Sequence, residues 1–141
     1  MANKQKTVMV VDGQGGGLGK SIIERIKKSN LRVTVIGVGT NSIATGTMLK
    51  AGADDAATGE NAVIYNAGLA DYIVGPIGIL SANSMLGEIS PAVAAAIAAA
   101  PGPKLLIPLN KCNLYIAGVR ENGLNDKIDD VIARIAADPE G

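Results

Sequence analysis

Between Asp12 and Lys20 the chain reads D-G-Q-G-G-G-L-G-K, with five glycines among the seven residues from Gly13 to Gly19. Glycine reaches φ > 0 without a Cβ clash and lets a ligand approach the main chain, so such a run can offer backbone amides to phosphate. The apolar stretch Thr7–Val11 precedes it, and Leu18, Ile22 and Ile26 recur every four residues after it, with Ile23 beside them. A buried strand, a glycine turn and an amphipathic helix are the elements that aim these amides, because the helix adds unpaired N–H groups and the positive end of its dipole. Gly13, Gln14, Gly15, Gly16, Gly17, Leu18, Gly19 and Lys20 are therefore candidate cofactor-binding residues. A purely architectural turn is the competing reading, although five glycines cost more backbone entropy than one turn requires.

Spacing ranks the ligand classes. The strict P-loop needs a glycine, four residues, then Gly-Lys-Ser/Thr. Gly19, Lys20 and Ser21 supply the end, but the first glycine would have to stand at Gln14. The run G-G-L-G-K-S also resembles the core of the deviant P-loop in the MinD and nitrogenase-iron-protein group of ATPases, where a lysine precedes the paired glycines; here that place is Gly15. Gly13, Gly17 and Gly19 form G-x-x-x-G-x-G, which is similar to the cofactor loop of short-chain dehydrogenases and favours NAD(P) or another nucleotide. That family's catalytic Tyr-x-x-x-Lys is absent, since Leu69, Pro76 and Val119 follow the three tyrosines at that distance. The second strand should end in an acid for a ribose hydroxyl or a nearby arginine for a 2′-phosphate. It ends instead in Gly39-Thr40-Asn41-Ser42, whose polar side chains specify a ribose weakly.

Composition narrows the field further. Thirteen basic residues balance thirteen acidic ones among 141, and with no Phe, no Trp and three Tyr the chain lacks both the charge and the stacking surfaces of a nucleic-acid binder. No histidine is present, which removes imidazole catalysis and the usual zinc sites. A single cysteine, Cys112, precludes an internal disulfide and fits a reducing, cytoplasmic setting. The longest greasy run, Val93–Ala100, falls far short of the roughly 20 residues that span a bilayer. The N-terminal apolar run ends at Asp12, too soon for a signal peptide. Only 18% of residues are charged against 48% hydrophobic, so a homo-oligomer is expected.

The elements alternate. Strands are predicted at residues 7–11, 31–39, 71–76 and 104–110, with a short one at 53–57. Helices are predicted after the glycine loop, at residues 41–52 with Asn41 as cap, at 58–68 with Thr58 as cap (where A-V-I-Y suits a strand equally well), and at 90–100 with Ser90 capping and Pro91 opening the first turn. Leu124, Ile128, Val131, Ile132 and Ile135 mark a C-terminal helix. The segment N-L-Y-I-A-G-V, residues 113–119, reads as a last strand. Only Lys111 and Cys112 separate it from its predecessor, a link that suits an antiparallel hairpin. The expected architecture is α/β: one Rossmann-like three-layer sandwich over residues 1–141, its sheet mostly parallel with an antiparallel C-terminal edge strand.

In such sheets ligands sit outside the carboxyl ends of the strands. Thr40 and Asn41 follow strand two there, Gly75, Pro76, Ile77 and Gly78 follow the D-Y-I-V strand, and Asn110 and Lys111 follow K-L-L-I; each segment read alone is an ordinary tight loop. Asp12 is expected to cap the glycine turn, Cys112 to be a small buried hydrophobe, and Asp54, Asp55 and Glu60 to be solvated loop charges rather than a cation site. Ile79–Ser90 is expected either to cover the crevice or to form a subunit contact.

The segments V-D-G-Q-G-G-G-L-G-K, G-T-N-S-I-A-T-G-T-M-L-K-A-G-A-D-D-A-A-T-G-E-N, D-Y-I-V-G-P-I-G-I-L-S-A-N-S-M-L-G-E-I-S-P-A and L-I-P-L-N-K-C-N-L-Y-I-A-G-V together resemble a small bacterial family of unknown function. The resemblance implies a short Rossmann-like protein and confers no catalytic residues. The expected activity is therefore the binding of a nucleotide or dinucleotide through the glycine loop. The alternatives are a P-loop-like ATPase or metallocofactor accessory protein using Lys20 and Ser21, and an interaction protein whose loop is structural.

Overall fold

Val8 and Val10 turn to one face of the first strand and Met9 and Val11 to the other, and all four are fully buried. A strand so apolar on both sides must be covered by helices on both sides, and it is. The computed structural model describes residues 5–109, 113–120 and 122–138. In chain order they form β1 (Lys6–Asp12), α1 (Gly17–Lys28), β2 (Val33–Gly39), α2 (Ser42–Lys50), β3 (Asp55–Thr58), α3 (Glu60–Ala67), β4 (Tyr72–Pro76), a 3-10 turn at Ile77–Leu80, α4 (Pro91–Ala99), β5 (Lys104–Ile107) and α5 (Leu124–Ala136).

The five strands pair in the order β3-β2-β1-β4-β5, all parallel. Helices α1 and α2, joined by the returning α5, bury Ile22, Ile23, Ile26, Met48, Ile128 and Val131 against one face of the sheet. On the other face α3 and α4 bury Val63, Ala67, Val93 and Ile97. This is the three-layer α/β sandwich that the alternation of elements predicts. Chain direction reverses its progress across the sheet between β1 and β4, so the crevice at their carboxyl ends is the topological switch point.

Local signals explain most boundaries. Asn41 accepts the Ala44 amide at 2.9 Å and Ser90 accepts the Val93 amide at 3.2 Å, so both predicted caps hold. Thr58 does not cap α3. It belongs to β3, its hydroxyl lies 2.7 Å from that of Thr45, and Gly59 takes the N-cap position.

The antiparallel edge strand is not supported. Among the described residues of 113–120 none is in a strand; β5 ends at Ile107, and Pro108, which has no N–H to give a ladder, follows it. Tyr115 is 88% exposed and Ile116 and Val119 are exposed as well, so the segment has no apolar face buried on the sheet. Its β-branched and aromatic composition carried a propensity that the tertiary context overrides. The face it would have extended is covered instead by α5, clamped to α1 by the two-pronged Arg25–Asp129 pair at 2.9 and 2.8 Å.

Candidate functional site

The site grows outward from Asp12, the last residue of β1. The residue is 5% exposed, and its carboxylate turns back into the loop, where it accepts the Gly13 amide at 2.8 Å and the Gly19 amide at 2.7 Å. One side chain thereby ties the start of the turn to the first turn of α1, as the capping expectation required. Burial pushes the Asp12 carboxyl above its ordinary value against the pull of the Gly19 and Gly13 amides, and the charge of Glu88 adds to the rise. Gly16 then takes φ 77°, a left-handed conformation, and its amide bonds the Gly13 carbonyl at 2.9 Å. A side chain at Gly16 would also run into the Ala44 backbone at 2.9 Å, so α2 and the loop share this glycine.

Gly15 and Gly17 differ. A Cβ on either would meet nothing within 4 Å, and no described residue accepts from their amides. They face a cavity of about 670 Å³, within the range of small-molecule sites. Gly13 to Leu18 form one wall of it, Pro76, Ile77 and Gly78 the second, and Ser81 to Leu86 the third, with Leu109 at the edge. Asp12 is the one charged residue among the described lining; backbone amides supply the positive potential.

Not every residue read from the sequence arrives there. Gly19 is buried against Met48, and Lys20 is exposed and outside the lining. Gly75 lies between strands, where a Cβ would meet the Val11 carbonyl at 2.5 Å; its small size serves sheet packing. Thr40 and Asn41 sit beside the glycine loop but do not line the cavity. Asn110 and Lys111, with Cys112, lie outside the described residues. Asp54 is engaged by Lys27 at 2.9 Å and by the Val35 amide at 2.8 Å, and no group of three His, Cys, Asp or Glu among the described residues converges on a metal position.

What the sequence did not expose is Glu88. Its Oε1 accepts the Thr40 hydroxyl at 2.6 Å, the Gln14 amide at 2.8 Å and the Asn41 side-chain amide at 2.9 Å. Burial works to raise its pKa, but the bonds from Thr40, Gln14 and Asn41 outweigh it and hold the carboxyl below its ordinary value. Glu88 is the only acid between Ile79 and Ser90, the one signal available, but its partners lie 47 to 74 residues away.

The segment carrying Glu88 is folded back tightly over the loop. Asn83, Met85 and Leu86 all have φ between 56° and 69°, which ordinary side chains adopt at a cost of roughly 1–2 kcal/mol each. They are held there by the Ser84 hydroxyl on the Gly78 carbonyl at 2.6 Å, the Asn83 amide on the Ile89 carbonyl at 2.6 Å, and the fully buried Ile89. Such strained turns concentrate at ligand clamps. Of the two roles expected for Ile79–Ser90, it is the crevice wall that the geometry displays.

The chain belongs to DUF3842, a domain family of unknown function. The family matches residues 7–140, nearly the whole chain. No curated protein matches it. Among solved structures, a dodecameric FMN-dependent UbiX-like decarboxylase of Escherichia coli O157:H7 is similar over 94% of this DUF3842 chain and 77% of its own, at 15% identity and a TM-score of 0.46. That likeness is too distant to carry an argument about ligand or assembly. No helix among the described residues of this DUF3842 member is long and apolar enough to cross a membrane.

Proposed function

We propose that the crevice at the β1–β4 switch point binds a nucleotide-type ligand, a nucleotide or dinucleotide, by its phosphate. The observation that carries this is the pair of amides of Gly15 and Gly17, which have no described acceptor and no Cβ in front of them and stand at the wall of a cavity on the sheet's carboxyl edge. An anion there meets oriented N–H groups and the start of α1, the arrangement that holds phosphate in open α/β sheets. The ligand's body would lie between Pro76–Gly78 and Ser81–Leu86. NAD(P) or another nucleotide is the cofactor class that the loop spacing favours.

Thermal unfolding of the purified protein against NAD, NADH, NADP, NADPH, FAD, FMN, AMP, ATP, ADP and GTP, with and without magnesium, tests the reading. A ligand at about 100 times its dissociation constant adds roughly 2.7 kcal/mol, a rise of several degrees. A magnesium-independent shift that persists in Lys20→Ala is the expected result, because Lys20 stands off the cavity. A magnesium-dependent shift lost in Lys20→Ala would transfer the loop to the P-loop-like reading. No shift with any of them leaves the loop as architecture. Self-association is the partner we propose beside the ligand, on the sparse charge of the chain and the exposed Ile64, Tyr65 and Leu69; sedimentation velocity measures it.

A further inference from the structure

A dinucleotide bound to a sheet of order 3-2-1-4-5 stretches across the switch point, one nucleotide beyond β1 and β2 and the other beyond β4 and β5. Among the described residues, the open half of that path is the second. The cavity extends from the glycine loop toward β4 and β5, and none of Thr40, Asn41 or Glu88 lines it. On the β2 side Glu88 Oε1 is tied to Thr40 at 2.6 Å, Gln14 at 2.8 Å and Asn41 at 2.9 Å, and Asn41 Nδ2 donates a further bond to the Gln14 carbonyl at 3.0 Å. The space in front of Gly13 is filled as well, because a Cβ there would stand 2.6 Å from Thr40 Oγ1, 2.8 Å from Met85 Sδ and 2.9 Å from Glu88 Oε1.

We infer that the cavity takes a mononucleotide carrying one phosphate group, and that Glu88, by bridging the glycine loop to the end of β2, sets this limit. The inference rests on the nucleotide reading proposed above and narrows its substrate class. Charge acts with shape. A phosphate on Gly15 and Gly17 meets amides, whereas a second phosphate continuing toward β2 meets a carboxylate already holding the Gln14 amide. An acid at the end of β2 in dinucleotide sites accepts ribose hydroxyls. Here the acid arrives at that same strand end from the loop before α4, and it bonds protein donors instead.

Calorimetric titration of the whole protein with matched pairs decides the matter: FMN against FAD, and AMP and NMN against NAD. The expected result is that at least one mononucleotide binds ten times or more tighter than the dinucleotide containing it, and that Glu88→Ala reduces that ratio below tenfold. A wild-type ratio under tenfold for every pair, or a preference for FAD or NAD, overturns the inference and leaves the nucleotide reading standing. An unchanged ratio in folded Glu88→Ala overturns the role of Glu88. No binding of any of the five compounds overturns the inference, and the nucleotide reading falls with it only when the unfolding panel is silent for every nucleotide as well. Should Glu88→Ala fail to fold, Thr40→Val removes one of the three donors on the carboxylate and the same ratio is read.

Discussion

Asp12 and Glu88 are carboxylates that brace the same glycine loop, one from its start and one from the segment before α4, with pKa shifts of opposite sign. Asp12 serves two amides at once, and no neutral isostere can do so. An asparagine would accept one N–H and turn its own NH₂ toward the other donor. Asp12→Asn is therefore expected to destabilise the fold by about 1–3 kcal/mol, read by denaturant unfolding, because a buried donor is left without a partner. Glu88 predicts a pH dependence. Its pKa is lowered in the folded protein, so the stability it contributes is complete above the ordinary glutamate range and is lost as pH falls through the lower folded value. Glu88→Gln keeps the acceptor but not the charge. The wild type should exceed it by about 1 kcal/mol near neutrality, and the gap should close on acidification, as unfolding measured at stepped pH will show.

At the scale of elements the question is which glycines shape the turn and which leave it open. Gly16 has left-handed φ and packs against α2, so Gly16→Ala should cost at least about 2 kcal/mol, from the left-handed penalty and the contact with Ala44. Gly17 is the first residue of α1 and has open space before it. Gly17→Ala should leave the unfolding midpoint unchanged or slightly raised, since alanine favours a helix, while weakening the ligand shift that a bare amide permits. If both variants lost stability alike, the loop's glycines would be serving packing alone. The misread residues 113–119 belong to this scale too. A strand needs a buried face and a paired edge, and a run of apolar residues predicts neither by itself.

Across the whole molecule, the C-terminal helix is bound to the sheet by a polar contact from within the core. Tyr72 on β4 is 2% exposed, and its hydroxyl donates to Asp138, just after α5. Burial, then the bond to Asp138 and its charge, push the Tyr72 phenol up from 10.0 to about 12. A raised folded value in an acid means that the stability is fully present below the ordinary tyrosine value and disappears as pH climbs through about 12. The wild type should therefore lose stability on that alkaline climb, measured by denaturant unfolding followed by circular dichroism at stepped pH. Tyr72→Phe keeps the ring in place, should cost about 1 kcal/mol at neutral pH, and should blunt that alkaline limb.

The parallel α/β sandwich, the glycine loop between β1 and α1, and the Asn41 and Ser90 caps were legible in the amino-acid order, because periodicity, capping and turn chemistry act over a few residues. The carboxyl-edge rule points to residues 75–78 and 110–113 as walls; Pro76, Ile77 and Gly78 line the cavity, Gly75 does not, and residues 110–112 lie outside the described residues. Other features depended on distant parts of the chain. Gly75 is small because β1 passes against it, and Lys20 misses the cavity because the α1 face that carries it turns to solvent. Glu88 reaches Gln14 from 74 residues away. A contact of that kind leaves no period or spacing in the sequence, since it exists only once the sheet order has brought the loop before α4 beside the end of β1.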